Sequence, residues 1–264
     1  CVFCCHRLLP LGLGLSVPRG KDGHEIGKSL RCLLGLRVVE RRADAARKAV
    51  ALVRAGEADF LMKGKLDTSV LLKAVVNKET GLGKGGVMSH FTAFEIPTYH
   101  KLLMPVDGGM VTLEQKKAII ENTVGALRAM GYDCPKVGVL ACVEKLNPKM
   151  PETVEGDALK QMNQRGELTG CVVEGPISYD CAVSREIAAF KGFESPCAGD
   201  CDVLVAPNIH AGNIMGKMLT VTCKAKMAGF IVGARCPIVM TSRGSSAEEK
   251  YLSIVISAAA ARNQ

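Results

Sequence analysis

From about residue 43 to its end, the chain alternates stretches of helical periodicity with short apolar runs rich in β-branched residues, and that alternation leaves few folds open. A first helix is expected over 44–55, with Ala46, Ala49, Val50 and Val53 on one face and Gly56 placed to end it. A strand over 59–62 follows, then a helix over 68–77 that Asp67 is placed to cap. Extended segments come next at 87–96 and 101–106. Thr112 and Gln115 form a capping-box pattern that opens a helix running to Met130, with Gly131 closing it. Beyond it, strands are expected over 136–143, 171–174, 202–206, 229–232 and 237–240. Helices are expected over 152–165, 180–191, 212–224 and 246–262. Continuous apolar strands joined by helices imply a mainly parallel sheet covered on both faces, so the fold class is α/β.

Residues 1–32 fit none of this. They are rich in Gly, Pro, Arg and Cys without periodicity, and read as an atypical basic extension: a loop, a disordered segment, or a segment not native to the fold. The charge is uneven along the chain as well. The whole chain carries +8, but residues 1–54 hold 11 basic residues against 4 acidic, which leaves 23 against 22 for the rest. With 4% aromatics and no Trp there is little to stack bases on, so a nucleic-acid partner is not expected. A membrane span is not expected either. The longest apolar candidate, at 8–18, is broken by Pro10, Gly12 and Gly14, and it lacks the small-residue cleavage site of a secretory signal.

Twelve cysteines raise the question of disulfides and metal. Cys142, Cys171, Cys201, Cys223 and Cys236 lie within apolar runs, where a free thiol serves as a small hydrophobe in a reduced, cytoplasmic setting. Cys1, Cys4, Cys5 and His6 resemble half a zinc site, with Cys197 and Cys201 the nearest second half. The spacing does not complete a site, and no metal is expected.

In an open α/β sheet, ligands bind beyond the carboxyl ends of the strands. The residues expected there are Lys63-Gly64, Asp107-Gly108-Gly109, Glu144 to Pro148, Glu174-Gly175-Pro176, Pro207 to Asn213 and Thr241 to Ser246. The last carries a hydroxyl pair, Arg243 and a helix start, all suited to an anion, although Ser245 or Ser246 equally serves as a plain cap. Two phosphate-loop look-alikes fail on context. Gly81, Gly83 and Gly86 follow a helix rather than a strand, and Gly27-Lys28-Ser29 has Asp22 where the motif needs Gly. His90 and His100 sit in extended apolar segments, where a histidine is more often a satisfied edge residue than a base.

Taken in order, the turns form a set. Ala58-Asp59-Phe60-Leu61-Met62-Lys63-Gly64, Met88-Ser89-His90, Asn147-Pro148-Lys149-Met150-Pro151-Glu152-Thr153, Glu174-Gly175-Pro176, Pro207-Asn208-Ile209-His210-Ala211-Gly212-Asn213 and Thr241-Ser242-Arg243 together resemble the phosphate acetyltransferase/phosphate butyryltransferase family. The Ser-His and Asn-Pro-Lys-Met-Pro segments look closer to the butyryl branch. The resemblance implies a three-layer αβα fold similar to isocitrate and isopropylmalate dehydrogenases, with two domains, an interdomain cleft and a homodimer. It would place 33–97 plus 232–264 in a first, incomplete domain and 98–231 in a second.

It also implies the reaction acyl-CoA plus phosphate giving acyl phosphate plus CoA, with coenzyme A as substrate and no tightly bound cofactor. Ser242 and Arg243 match the family's catalytic pair, and Glu249 or Glu248 stands where a carboxylate assists the CoA thiol. Lys63, Gly64, Ser89, His90, Asn208, Gly212, Asn213 and Lys217 fall at positions implied to contact substrate, with a solvated charge as the structural alternative for Lys63 and Lys217. Because early strand-helix units of the first domain are replaced by the basic segment, the second reading is a truncated relative that binds CoA or an anion without turnover.

Overall fold

The computed structural model describes residues 2–5, 37–39, 42–106, 112–241 and 244–261. Cys1, His6, the Gly27-Lys28-Ser29 look-alike, the Asp107-Gly108-Gly109 turn, Ser242 and Arg243 lie outside the described residues.

In chain order the elements are β1 (Val2–Cys5), β2 (Arg37–Val39), α1 (Arg42–Arg54), β3 (Phe60–Lys63), α2 (Thr68–Val75), β4 (Ser89–Glu95), β5 (Leu102–Val106) and α3 (Leu113–Ala129). Next come β6 (Lys136–Leu140), α4 (Pro151–Gln164), β7 (Val172–Ile177), α5 (Tyr179–Val183), α6 (Arg185–Phe190) and β8 (Val203–Val205). The chain closes with α7 (Ile209–Val221), β9 (Lys226–Val232), β10 (Ile238–Val239) and α8 (Ala247–Ala261). No helix among the described residues is long and apolar enough to cross a membrane.

The chain parts into two compact units, 1–85 with 229–264, and 86–228. The sequence placed the division after residue 97. It falls earlier because β4 pairs antiparallel with β5 and so belongs to the second unit.

In the first unit the strands run β2-β1-β3-β10-β9. Only β3 and β10 are parallel, with Leu61 opposite Ile238 and Met62 opposite Val239. The expectation of mainly parallel strands fails here for two reasons. β1, which the sequence left inside an unstructured extension, is inserted antiparallel between β2 and β3. The link from β9 to β10 is too short for a crossover, which needs a dozen residues or more, and it reverses at Gly233 with φ +87°.

The second unit runs β4-β5-β8-β6-β7, and β5, β8, β6 and β7 are all parallel. The parallel strands are almost wholly buried, as expected when helices cover both faces. Leu103, Leu140, Ile177, Leu204 and Leu219 pack in one core, each contributing about 1.5–3 kcal/mol. The capping box forms as read: Thr112 Oγ1 accepts from the Gln115 N–H at 3.3 Å, and the Thr112 N–H donates to Gln115 Oε1 at 2.9 Å. The single helix expected over 180–191 is two, broken at Ser184. Its extended backbone ends α5, and its hydroxyl accepts from the Ile187 N–H to start α6. Cys171, Cys201 and Cys236 are buried as expected, whereas Cys142 and Cys223 are exposed because each falls just past the end of its element.

Two features hold this unit tight. A Cβ at Gly175 would lie 2.8 Å from the Gly156 carbonyl oxygen and 2.9 Å from Val139 Cβ, so α4 lies against β7 backbone to backbone. At the amino ends of β5, β6 and β8, Asp200 gathers Lys136 Nζ (2.5 Å), His100 Nε2 (2.8 Å) and Lys101 Nζ (3.1 Å). Beside it Asp202 accepts from Lys101 Nζ at 2.9 Å and from the Lys136 N–H at 2.7 Å.

Two outcomes follow. Gly175→Ala should lower the unfolding free energy, read from urea titration, by about 1–3 kcal/mol through overpacking. For Asp200, partial burial alone would raise the carboxyl pKa, but the hydrogen bonds from Lys136, His100 and Lys101 outweigh it and hold the group well below the usual carboxylate range. A depressed folded-state pKa stabilises above the unfolded pKa of about 3.9 and is lost as pH falls through the folded value. Asp200→Asn should therefore cost about 1.5–3 kcal/mol at pH 7 and flatten the acid limb of a pH–stability curve.

Candidate functional site

Parallel pairing sends the carboxyl ends of β5, β8, β6 and β7 to one edge of the second unit. β4 runs the other way, so its first residues, Ser89 and His90, arrive at the same edge beside the end of β5. Asn208 follows β8, two strands from β4 in the sheet order and hence about 10 Å across it. The fold therefore brings together turns that are more than a hundred residues apart in sequence.

Their side chains differ in environment. Ser89 is buried, and its hydroxyl has no hydrogen-bond partner among the described residues. That leaves a desolvated donor at the strand end. The His90 ring is oriented by Thr92, two residues on and on the same strand face, with Nδ1 and Oγ1 2.6 Å apart. Asn208 has fully extended backbone and caps α7, its side-chain oxygen accepting from the Ala211 N–H at 3.0 Å. The helix thus begins at Ile209 rather than at Gly212 as the sequence suggested, because Asn208 takes the cap. Gly212 lies in the first turn, its N–H on the Asn208 carbonyl at 3.1 Å, while Asn213 and Lys217 are exposed one turn further along.

Two side chains missed in the sequence hold these turns. Lys116 on α3 donates to the Pro207 carbonyl at 3.0 Å, and Asn122 on the same helix donates to the Val87 carbonyl at 2.8 Å, two residues before Ser89. A signal for Lys116 existed: with Ile119, Ile120 and Thr123 it falls on the buried i, i+3, i+4, i+7 face, where an ammonium is out of place.

The first unit gathers a second set. Lys63 ends β3, in step with the end of β10. It is not a solvated charge: it is 9% exposed, and its ammonium donates to the Leu66 carbonyl across the turn that contains Gly64. At the start of α8, which packs on β3 and β10, the Glu249 N–H donates to Ser246 Oγ at 3.0 Å. Glu249 Oε1 accepts from Ser245 Oγ at 2.5 Å. Ser246 is therefore the plain cap that the sequence held open, and Ser245 orients Glu249. Glu248 is exposed.

Cys201 Sγ contacts the Cys197 carbonyl at 3.3 Å, and both cysteines are fully buried. Among the described residues, Glu144, Asp180 and Cys181 bring ligand atoms within 4.8 Å of one another. Lys191 Nζ lies 2.9 Å from each of the two carboxylates and supplies the positive charge itself. Hydrogen bonds from Ser178 and then Lys191 hold Asp180 down at about 2. A surface recess of about 570 Å³ beside α6, lined by Arg185, Phe193 and Pro196 among others, contains none of the expected site residues.

A family profile described as phosphate acetyl/butaryl transferase matches residues 36–258. The phosphate acetyltransferase of Thermotoga maritima is 45% identical over 218 residues, which cover 81% of this chain and 74% of that one. The phosphate butyryltransferase of Clostridium acetobutylicum is 43% identical over 223 residues, 83% and 74% of the two chains. A branched-chain phosphotransacylase from Enterococcus faecalis superposes with a TM-score of 0.78 at 34% identity, covering 86% of this chain and 82% of that one. A Streptococcus pyogenes phosphotransacetylase shares the three-layer αβα fold at a TM-score of 0.70 and 23% identity, over 84% and 68% of the two chains.

Replacing Ser246 by Ala should cost about 1 kcal/mol by removing the α8 cap, whereas Ser246→Asp should retain most of it. Thermal unfolding of the two variants checks this.

Proposed function

The chain belongs to the phosphate acetyl/butaryl transferase family, and from that membership we propose that it transfers a short acyl group, butyryl ahead of acetyl, between coenzyme A and inorganic phosphate. The observation that carries the reading is the unbroken family match over 36–258, which runs through every residue given a role below. The butyryl preference is supported by the Ser89-His90 and 147–151 segments. The likeness to the branched-chain phosphotransacylase points the same way.

In the forward direction a phosphate oxygen attacks the thioester carbonyl carbon, forming the new C–O bond. The carbonyl oxygen takes up negative charge in the tetrahedral adduct. Collapse breaks the C–S bond, and CoA leaves as thiolate and takes the proton given up by phosphate. Arg243 holds phosphate through its planar fork, and Ser242 donates to the charged oxygen. Glu249, oriented by Ser245, carries the thiol proton, with Glu248 beside it at the same helix start.

Lys63 and the Gly64 turn, Ser89, His90, Asn208, Gly212, Asn213 and Lys217 contact substrate in this reading. The unpartnered Ser89 hydroxyl and the amino end of α7 are suited to phosphate or pyrophosphate oxygens. No tightly bound cofactor is required. A homodimer and a cytoplasmic setting form part of the proposal.

The purified chain with butyryl-CoA and phosphate should release free thiol, followed with a colorimetric thiol reagent. Ser242→Ala and Arg243→Ala should each lower the rate by about 10²–10³. No release above these variants overturns the enzyme reading, and CoA binding by calorimetry without release identifies a non-catalytic relative. Acetyl-CoA, two methylenes shorter, should be the poorer substrate by about 1–3 kcal/mol per methylene in kcat/KM.

A further inference from the structure

We infer that Lys116 is a positioning residue for the acyl-transfer site: through the Pro207 carbonyl it fixes the turn that carries Asn208 and the amino end of α7. Its functional half rests on the reading above. The geometric half rests on three observations.

The tie is needed where it is made. The Ala206 N–H bonds to the Val106 carbonyl at 3.3 Å, the last rung between β8 and β5 among the described residues. The next residue, Pro207, has no N–H, so its carbonyl is the one backbone group by which that residue can be anchored just before Asn208. Lys116 Nζ donates to that carbonyl at 3.0 Å.

The ammonium itself is held. Lys116 is 3% exposed and pairs with Glu155 in the second turn of α4. The Lys116–Glu155 pair thus joins α3, α4 and the end of β8 at the carboxyl edge. Bringing a charge into this position costs desolvation, and a whole buried ion pair can often be replaced by apolar side chains of similar volume at no loss of stability. A methionine would fill the space, yet it offers no donor to Pro207. What the lysine adds over a good core residue is the position of the turn.

The same helix repeats the device. Asn122 holds the Val87 carbonyl just before Ser89, so α3 references both candidate substrate turns of the unit to one rigid element. Lys116 touches a carbonyl and a carboxylate of the protein and acts through the turn.

The test uses the full chain as wild type, Lys116→Met, Glu155→Gln, Asn208→Ala and the Lys116→Met/Asn208→Ala double variant. In hydrogen exchange, amides of the peptide spanning 206–213 should exchange about tenfold faster in Lys116→Met, with protection elsewhere in 86–228 unchanged. In the thiol-release assay, kcat/KM should fall about tenfold in Lys116→Met. In the Asn208→Ala background the same change should cost less than about twofold, because the two act through one turn.

Unchanged exchange at 206–213 overturns the inference, as does an equal loss of kcat/KM in both backgrounds, which a merely structural role would give. Should Lys116→Met not fold, Glu155→Gln, at a third-exposed position, must show faster exchange in the same peptide, and no change there overturns the inference equally. Absence of turnover in the wild type sinks the proposed function alone, since exchange still decides the position of the turn.

Discussion

Parallel pairing of β5, β8, β6 and β7 is the constraint on which the second unit depends. Parallel neighbours cannot be joined by a short loop, so the chain must cross back between them, usually through a covering helix, and each strand delivers its carboxyl end to one edge. Every polar turn of interest in that unit lies there as a result. The antiparallel β4 is no exception, since its reversed direction brings its first residues, rather than its last, to that edge. The amino edge carries the opposite load, a set of charges centred on Asp200 and Asp202 that closes the far end of the strands.

Much of this was legible in the sequence because it is local. The capping box at Thr112 and Gln115 needs only four residues to be recognised, and it formed with both hydrogen bonds. The misplaced boundaries have local causes as well, visible only when side-chain partners are known. Ser184 could have continued a helix but caps a new one, and Asn208 captured a start expected three residues later. β1 was not legible, because four residues in a Gly- and Pro-rich surrounding become a strand only through partners at 37–39 and 60–63. The choice between anion binding and a plain cap at Ser245 and Ser246 was left open by composition. The structure divides the work, Ser246 on the helix and Ser245 on Glu249.

For the candidate site, sequence reasoning found the turns and missed what holds them. Residues such as Lys63, Ser89 and Asn208 advertise themselves by position after or before a strand. Lys116 and Asn122 sit inside a helix, and their roles lie in carbonyls 91 and 35 residues away. Supporting residues of this kind carry no motif. They show themselves only as polar groups on a helix face that ought to be apolar.

The arrangement around Asp200 bears on how this protein tolerates sequence change. One carboxylate separates Lys136, Lys101 and His100, and Arg185 reaches it at 3.4 Å. Without the acid, the basic groups would confront one another. With it, loss of one base leaves the others on the carboxylate, although Lys101 also serves Asp202 at 2.9 Å. Substitutions among these five positions will therefore not combine independently: losing a base costs an ion pair while the acid is present and relieves repulsion once it is gone.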